Sequence, residues 1–275
     1  MKTRNSKRRW LASPYIVWMA IFIIIPLAMV IYFAFTNESH SFTLQNIMAM
    51  GEYTKVFIES IKLAAVSTLI CLLIGYPFAK AILRLKVKNQ MIVMLLLMLP
   101  LWINFLLRTY AWMTLLENTG LINRFLSLFG IGPFQMMNTR GAVVLGMVYN
   151  FLPYMIIPIY NVMTKIDRHV IEAAQDLGAG SLNINIRIIF PLSVPGIVSG
   201  ITMVFVPAVS TFIISTMLGG SSNMLIGDLI ELQFLGGSYN PYLGSAMSLV
   251  LMVLIIISMA IMNEFDTDES EVIVA

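Results

Sequence analysis

Charged residues are scarce in this chain. Asp, Glu, Lys and Arg make up 11% of its 275 residues, whereas 59% are hydrophobic. A soluble globular domain carries about 25% charged residues. The composition therefore excludes an ordinary soluble domain and indicates an integral membrane protein.

The chain also lacks the residue patterns of common catalytic and metal sites. Cys71 is its single cysteine, and its two histidines, His40 and His169, are far apart in sequence. No Gly-Lys pair occurs, so the phosphate-binding loop of nucleotide hydrolases is absent. The net charge is only +3, and the basic residues cluster beside hydrophobic runs. We therefore predict no catalysis, no metal, no cofactor bound by this chain and no nucleic-acid partner.

Six apolar stretches are long enough to cross a bilayer as helices, which takes about 20 residues each. The alternating pattern typical of a membrane barrel is not evident. The sequence thus predicts an all-α, polytopic membrane protein with six transmembrane helices. The predicted spans cover about residues 11–36, 60–83, 91–115, 140–163, 192–218 and 241–262.

The fifth predicted span is unusual because it contains two prolines and two spaced glycines. Pro195 and Pro207 predict that it is not one straight, regular helix. Gly196 and Gly200 are four residues apart, a spacing that lets two membrane helices approach closely.

The distribution of basic residues predicts the orientation of the spans. With the amino terminus inside, twelve of the 17 Lys and Arg residues fall on the cytoplasmic side and four on the outer side. This asymmetry agrees with the positive-inside rule, and six spans return the carboxyl terminus to the cytoplasm. We therefore divide the chain into a basic amino terminus with the first span and its external loop (1–58), a domain that holds the other five spans (59–263) and an acidic cytoplasmic tail (264–275).

The longest polar interval on the predicted cytoplasmic side is the loop 164–191. Asp167 offers an N-cap oxygen, and apolar residues recur after it at helical spacing up to Leu177. Gly178 and Gly180 then end the helical pattern, and Gly178 permits a backbone conformation that other residues rarely adopt. The loop is therefore predicted to contain two short helices around a hinge.

Six residues of this loop resemble the signature of bacterial ABC-importer permeases, which reads EAA, three residues, Gly, nine residues, Ile, one residue, Leu, Pro. Phe190 stands where that signature has Leu. The matching residues are Glu172, Ala173, Ala174, Gly178, Ile188 and Pro191. The resemblance implies that the loop is a coupling helix that docks on a separate ATPase subunit.

Three further stretches resemble the polyamine branch of this family, which transports spermidine and putrescine. They are GYPFAKAI at 75–82, LPLWINFLLRTYAW at 99–112 and LIGDLIELQFL at 225–235. The resemblance implies a type I importer in the bacterial plasma membrane, with a second permease chain as heterodimer partner. It also implies two ATPase chains that hold ATP and Mg, and an extracytoplasmic binding protein. Alternatives are a permease for sulfate, molybdate or a metal chelate, and a stand-alone secondary transporter.

Four polar or aromatic residues inside two predicted spans are candidates to line the pathway. Trp102 and Asn104 belong to the third span, and Tyr149 and Asn150 to the fourth. Polar groups within a membrane are costly unless they have partners or face a cavity, and aromatic rings attract ammonium groups. Each of the four could equally serve packing. Arg108, past the middle of the third span, is expected to extend towards the interface.

Two acids in the predicted outer loop before the last span are a second candidate. Asp228 and Glu231 are three residues apart and would share one face of a short helix. Two carboxylates at an outer mouth could attract a cationic substrate. The alternative is that they pair with a partner subunit or face water.

Overall fold

The computed structural model describes residues 14–272, and these residues are predominantly helical, without a β-sheet. The only bridge between extended residues in this range joins Thr36 to Phe42. The predicted basic segment before residue 14 lies outside the described residues, as do the last three residues of the acidic tail.

Within residues 14–272, ten helices of seven or more residues carry the fold and are numbered here in chain order. They are α1 (Pro14–Ala34), α2 (Thr54–Leu83), α3 (Val87–Trp102), α4 (Phe105–Leu116), α5 (Leu121–Ser127), α6 (Arg140–Met163), α7 (Arg168–Asp176), α8 (Phe190–Ser210), α9 (Ile226–Leu235) and α10 (Pro241–Val272).

The number of membrane-spanning helices agrees with the prediction of six. Five helical stretches of the described chain are long and apolar enough to cross a bilayer. The helical segments Val87–Trp102 and Phe105–Ser127 form a bent pair, which adds a sixth span when the two are counted as one. The observed stretches Arg140–Met163 and Pro241–Met262 have the predicted limits of the fourth and sixth spans.

The third span is not the single helix that the sequence predicted over 91–115. The chain bends by 90° between α3 and the helical segment that follows. Ile103 and Asn104 have extended backbone, and the Asn104 side chain accepts a hydrogen bond from the Leu106 amide at 2.8 Å. A side-chain cap of this kind starts a new helix, so α4 begins in a new direction.

The fifth span is irregular at its ends rather than at its prolines. The π-helical turn Asn185–Ile189 precedes α8, which continues through Pro195 and Pro207 and ends at Ser210. Thr211 is extended, and a second π-helical turn follows at Ser215–Gly219. The predicted helix over 192–218 therefore ends about two turns early.

Residues 14–54 and Leu229–Leu254 form one compact unit, and residues 55–228 with those from Ile255 onward form another. In the first unit, the Phe33 and Tyr242 rings meet edge to face, with centroids 5.6 Å apart. The Asn46 amide donates to the Ala34 and Thr36 carbonyls at 3.2 and 2.8 Å, which closes the turn after α1.

The core of the second unit is the contact between α6 and α8. A Cβ atom on Gly196 would lie 2.9 Å from the Pro158 carbonyl oxygen, and one on Gly200 would lie 2.8 Å from the Met155 sulfur. Only glycine permits this separation of the two helices. The close approach predicted from the spacing of Gly196 and Gly200 is thus confirmed. Met155 also fills the space beside Gly75 of α2.

Candidate coupling loop and pathway residues

The helix α7 is capped at both ends by its own loop. The Asp167 carboxylate accepts a hydrogen bond from the His169 amide at 2.9 Å, as expected for an N-cap. At the other end, the Gly178 amide donates to the Gln175 carbonyl at 2.9 Å and the Ala179 amide to the Ala174 carbonyl at 3.0 Å. This pair of bonds is a Schellman motif, in which Gly178 adopts a left-handed φ of +78°.

The outward surface of this loop is uncovered. None of the residues of α7 is buried, and Glu172 and Ala173 are exposed. Beyond the helix, Leu177 is 89% exposed and Leu182 is 71% exposed. The surface therefore combines a short helix that carries small residues with two exposed leucines beside it. Such a surface suits contact with another protein.

The structure distributes the six signature residues over α7 and its end, the π-helical turn before α8, and α8 itself. Glu172, Ala173 and Ala174 belong to α7, and Gly178 ends it. Ile188 lies in the π-helical turn before α8 and is half-buried, whereas Pro191 is exposed in the first turn of α8. The first four residues therefore lie in the exposed helix and in the turn that ends it, and the last two lie where the chain enters the next span.

The two candidates in the third predicted span lie at the bend between α3 and α4. Trp102 is the last residue of α3 and is 85% exposed. Asn104 is exposed as well, but its side-chain oxygen caps α4. The indole of Trp102 is thus left uncovered by the rest of the described chain, and the Asn104 side chain has a structural role as a helix cap.

The two candidates on α6 differ in their surroundings. Tyr149 is 37% exposed and its ring packs edge to face on Trp112, with centroids 5.3 Å apart. Asn150 is 1% exposed, and its amide donates to the Gly146 carbonyl at 2.8 Å. The side-chain oxygen of Asn150 has no hydrogen-bond partner within the described chain.

Arg108 does not extend towards an interface as the sequence analysis expected. It is 8% exposed, and its guanidinium carbon lies 5.7 Å from the centroid of the Phe105 ring. Phe105 and Arg108 are three residues apart on α4, so they share a helix face. That spacing was the feature of the sequence from which the contact between the guanidinium and the ring could have been predicted. Within the described residues, Nε and Nη1 of Arg108 lack hydrogen-bond partners.

Asp228 is 3% exposed and has three hydrogen-bond donors. Ser215 and Thr216 donate to one carboxylate oxygen at 2.9 and 2.6 Å, and the Leu225 amide donates to the other at 2.6 Å. Burial raises the pKa of the Asp228 carboxyl, and the three hydrogen bonds oppose that rise. The carboxylate therefore fixes the start of α9. Glu231, one turn further, is half-buried.

A second bond anchors the start of α9. The Ile226 amide, the first of α9, donates to the Ser60 hydroxyl of α2 at 2.8 Å, so this free amide has a side-chain acceptor. The sequence analysis missed this role of Ser60. A serine in an apolar helix carries no signal of a partner that lies 166 residues away in the chain.

Comparison with known proteins finds relatives that match most of the chain. The spermidine/putrescine transport system permease protein PotB of Escherichia coli is 36% identical over 246 residues, which covers 86% of this chain and 89% of that protein. PotB of Haemophilus influenzae is 36% identical over 265 residues, with 92% of each chain covered.

Solved structures with the same fold are more distant in sequence. A bacterial ABC transporter that imports the acidic polysaccharide alginate matches with a TM-score of 0.81 at 19% identity, covering 96% of this chain and 97% of that chain. The MetNI methionine ABC transporter, in an inward-facing conformation, matches with a TM-score of 0.58 at 16% identity, covering 78% and 95%. These likenesses establish the all-α fold of ABC-importer permeases.

A family model, described as the binding-protein-dependent transport system inner membrane component, matches residues 1–268. This match covers nearly the whole chain and agrees with the relatives and with the fold. The chain belongs to the family of binding-protein-dependent transport system inner membrane components.

Proposed function

We propose that this chain forms half of the membrane pathway of an ATP-driven importer for polyamines such as spermidine and putrescine. The two PotB relatives described above, which carry this substrate in their names, are 36% identical over most of the chain. The chain has no Gly-Lys pair, so ATP and Mg bind on a separate ATPase chain. The protein itself is a permease and not an enzyme.

The observation that carries the proposal is that α7 is exposed along its whole length and yet capped at both ends. A nine-residue helix without buried residues gains little from packing, yet this one is capped at both ends. Glu172, Ala173 and Ala174 then present a small, preformed surface to an ATPase subunit. Closure of the two ATPase chains would move α7, and α7 would move the spans on either side of it.

The other partners follow from this arrangement. One chain supplies half of a pathway, so a second permease chain completes it as a heterodimer, with membrane lipid around the pair. An extracytoplasmic binding protein delivers the substrate, and the alginate transporter has been crystallised with a periplasmic protein of this kind. Both termini, with α7, face the cytoplasm of the bacterial cell.

Substrate recognition is assigned to exposed aromatic faces and an unpaired amide oxygen. Trp102 is 85% exposed and Tyr149 is 37% exposed, and each ring could hold an ammonium group with about 0.5 to 2 kcal/mol. The Asn150 oxygen also lacks a partner within the described chain, but Asn150 is only 1% exposed, so it could accept a hydrogen bond from a substrate only after the helices around it move apart. Glu231 remains a candidate to attract the substrate, together with Asp228, whose carboxylate already has three donors.

The proposal is tested by uptake in cells that lack this chain, with and without its restoration. Labelled spermidine and putrescine are the test substrates, and sulfate and chelated iron are controls. We expect restoration to recover polyamine uptake and leave the controls unchanged. Unchanged polyamine uptake, in a strain without a second polyamine system, would contradict the substrate while leaving the permease family in place.

A further inference from the structure

A cavity of about 530 Å³ opens beside α7 and is not used by the function proposed above. Its walls come from the end of α2, the start of α3, the end of α6, α7 and the turn before α8. All of these belong to the compact unit that contains residues 55–228. A volume of roughly 300 to 1,000 Å³ is usual for sites that bind small ligands.

The charged side chains of this cavity are all positive. Lys80, Arg84 and Arg168 line it, and no Asp or Glu does. Within the part of the chain that the structure describes, none of these three cations forms an ion pair, although the Lys80 ammonium donates to the Asn185 side chain. Lys80 lies in the last turn of α2 and Arg84 directly follows the helix, four residues later, and like charges at this spacing repel each other. An anion between them would remove that repulsion.

Much of the remaining wall of the cavity is aliphatic. Met163 and Ile184 are each only 4% exposed, and five more aliphatic side chains continue this surface beside five uncharged polar residues. The other five aliphatic residues are Leu83, Val87, Ile166, Ile171 and Ile189. Cations beside an aliphatic wall suit a ligand that has an anionic head and an apolar body.

The cavity is preformed because Gln90 fixes one of its walls. The Gln90 amide donates to the Leu83 and Leu85 carbonyls at 3.2 and 2.9 Å, which caps the end of α2. The Tyr160 hydroxyl of α6 donates to the Gln90 oxygen at 3.0 Å. The turn between α2 and α3 is thus attached to α6, and a ligand would find the wall already in place.

We propose that this cavity binds the phosphate headgroup of an anionic phospholipid, such as phosphatidylglycerol. This inference rests on the proposed function, which puts α7 and the cavity at the cytoplasmic face of the membrane, where basic pockets between helices meet lipid headgroups. Free phosphate offers the same charge but would leave the aliphatic wall uncovered. Arg168, Ile171 and Gln175 of α7 form part of the cavity, so the bound lipid would hold the coupling helix in place.

The test uses the complete transporter, with both permease chains and the ATPase chains, in nanodiscs of phosphatidylcholine with increasing fractions of phosphatidylglycerol. Native mass spectrometry measures the phosphatidylglycerol retained per complex. Arg84→Gln and Lys80→Gln are the test variants. Lys88→Gln is the matched control, because Lys88 is exposed on α3 and does not line the cavity. We expect each test variant to retain the lipid about five-fold more weakly and the control to be unchanged.

Three outcomes would overturn the proposal. Equal lipid retention by Arg84→Gln and Lys88→Gln would show that the cavity does not hold the headgroup. Displacement of the lipid by excess inorganic phosphate would identify a free anion as the ligand. Retention only in the absence of the ATPase chains would make the cavity a protein contact. The lipid measurement contains no polyamine. If the uptake assay contradicts polyamine transport, the measured lipid retention therefore still decides whether the cavity binds lipid.

Discussion

Gly178 offers the sharpest test of the coupling role proposed for α7. Its φ is +78°, and a Cβ atom built on it would meet nothing within 4 Å. A substitution there changes only the backbone conformation and not the packing. A non-glycine residue in the left-handed region costs roughly 1 to 2 kcal/mol, because its Cβ crowds the following carbonyl oxygen. This conformational cost is smaller for Asn than for Ala, and it is largest for β-branched Val.

This cost acts on a helix with little other support. None of the residues of α7 is buried, so the caps contribute a large part of its stability. A loss of 1 to 2 kcal/mol lowers the ratio of capped to frayed helix by about 5- to 30-fold. We therefore expect polyamine uptake to fall in the order Gly178→Asn, Gly178→Ala, Gly178→Val. The assay is the initial rate of uptake divided by the amount of the chain in the membrane.

Gly180→Ala is the matched control for this series. Gly180 also has nothing within 4 Å of a built Cβ, but its φ of −67° and ψ of 154° are open to any residue. We expect its uptake to stay near that of the unmodified protein. Normal uptake by Gly178→Val at equal membrane abundance would refute the reasoning, as would an equal loss in Gly180→Ala.

Three further predictions concern the spans and the candidate pathway. Gly196→Ala should lower the free energy of unfolding by about 1 to 3 kcal/mol because its Cβ would meet the backbone of α6 at 2.9 Å. Gly141→Ala, with no contact closer than 3.7 Å, should leave it unchanged, and thermal unfolding of the purified complex measures both effects. Asp228→Ala should cost about 1 to 3 kcal/mol in the same assay because the Leu225 amide and the two hydroxyls lose their acceptor, whereas Glu231→Ala should have little effect; equal stabilities would contradict the anchoring role. Trp102→Ala should raise the uptake KM for spermidine about 2- to 30-fold and Trp102→Phe less, and an unchanged KM in Trp102→Ala would remove this ring from the pathway.

Features set by neighbouring residues were predicted well from the sequence. Asp167 caps α7, and Gly178 has the positive φ that its place after the helix required. Gly196 and Gly200 pack against α6 because their spacing puts them on one face of α8. Each of these features depends on a pattern within one or two helical turns.

Features set by distant residues were not predicted. The 90° bend after α3 depends on the backbone of Ile103 and Asn104, inside a stretch whose hydrophobicity is continuous. The burial of Asp228 depends on two hydroxyls that lie 12 and 13 residues earlier in the chain. Hydropathy gives the length of a span, but it carries no information on which polar side chains meet after folding.

The packing between α6 and α8 explains how a small, exposed helix could move a membrane pathway. The chain enters α7 directly from α6 and leaves it towards α8, and these two spans are held in close contact at Gly196 and Gly200. Close-packed helices shift together because separating them would expose voids and lose contacts. A displacement of α7 would therefore move α6 and α8 together. In a loosely packed pair, one helix could move without the other. On this reasoning, Gly196→Ala should reduce uptake more than its loss of stability alone accounts for.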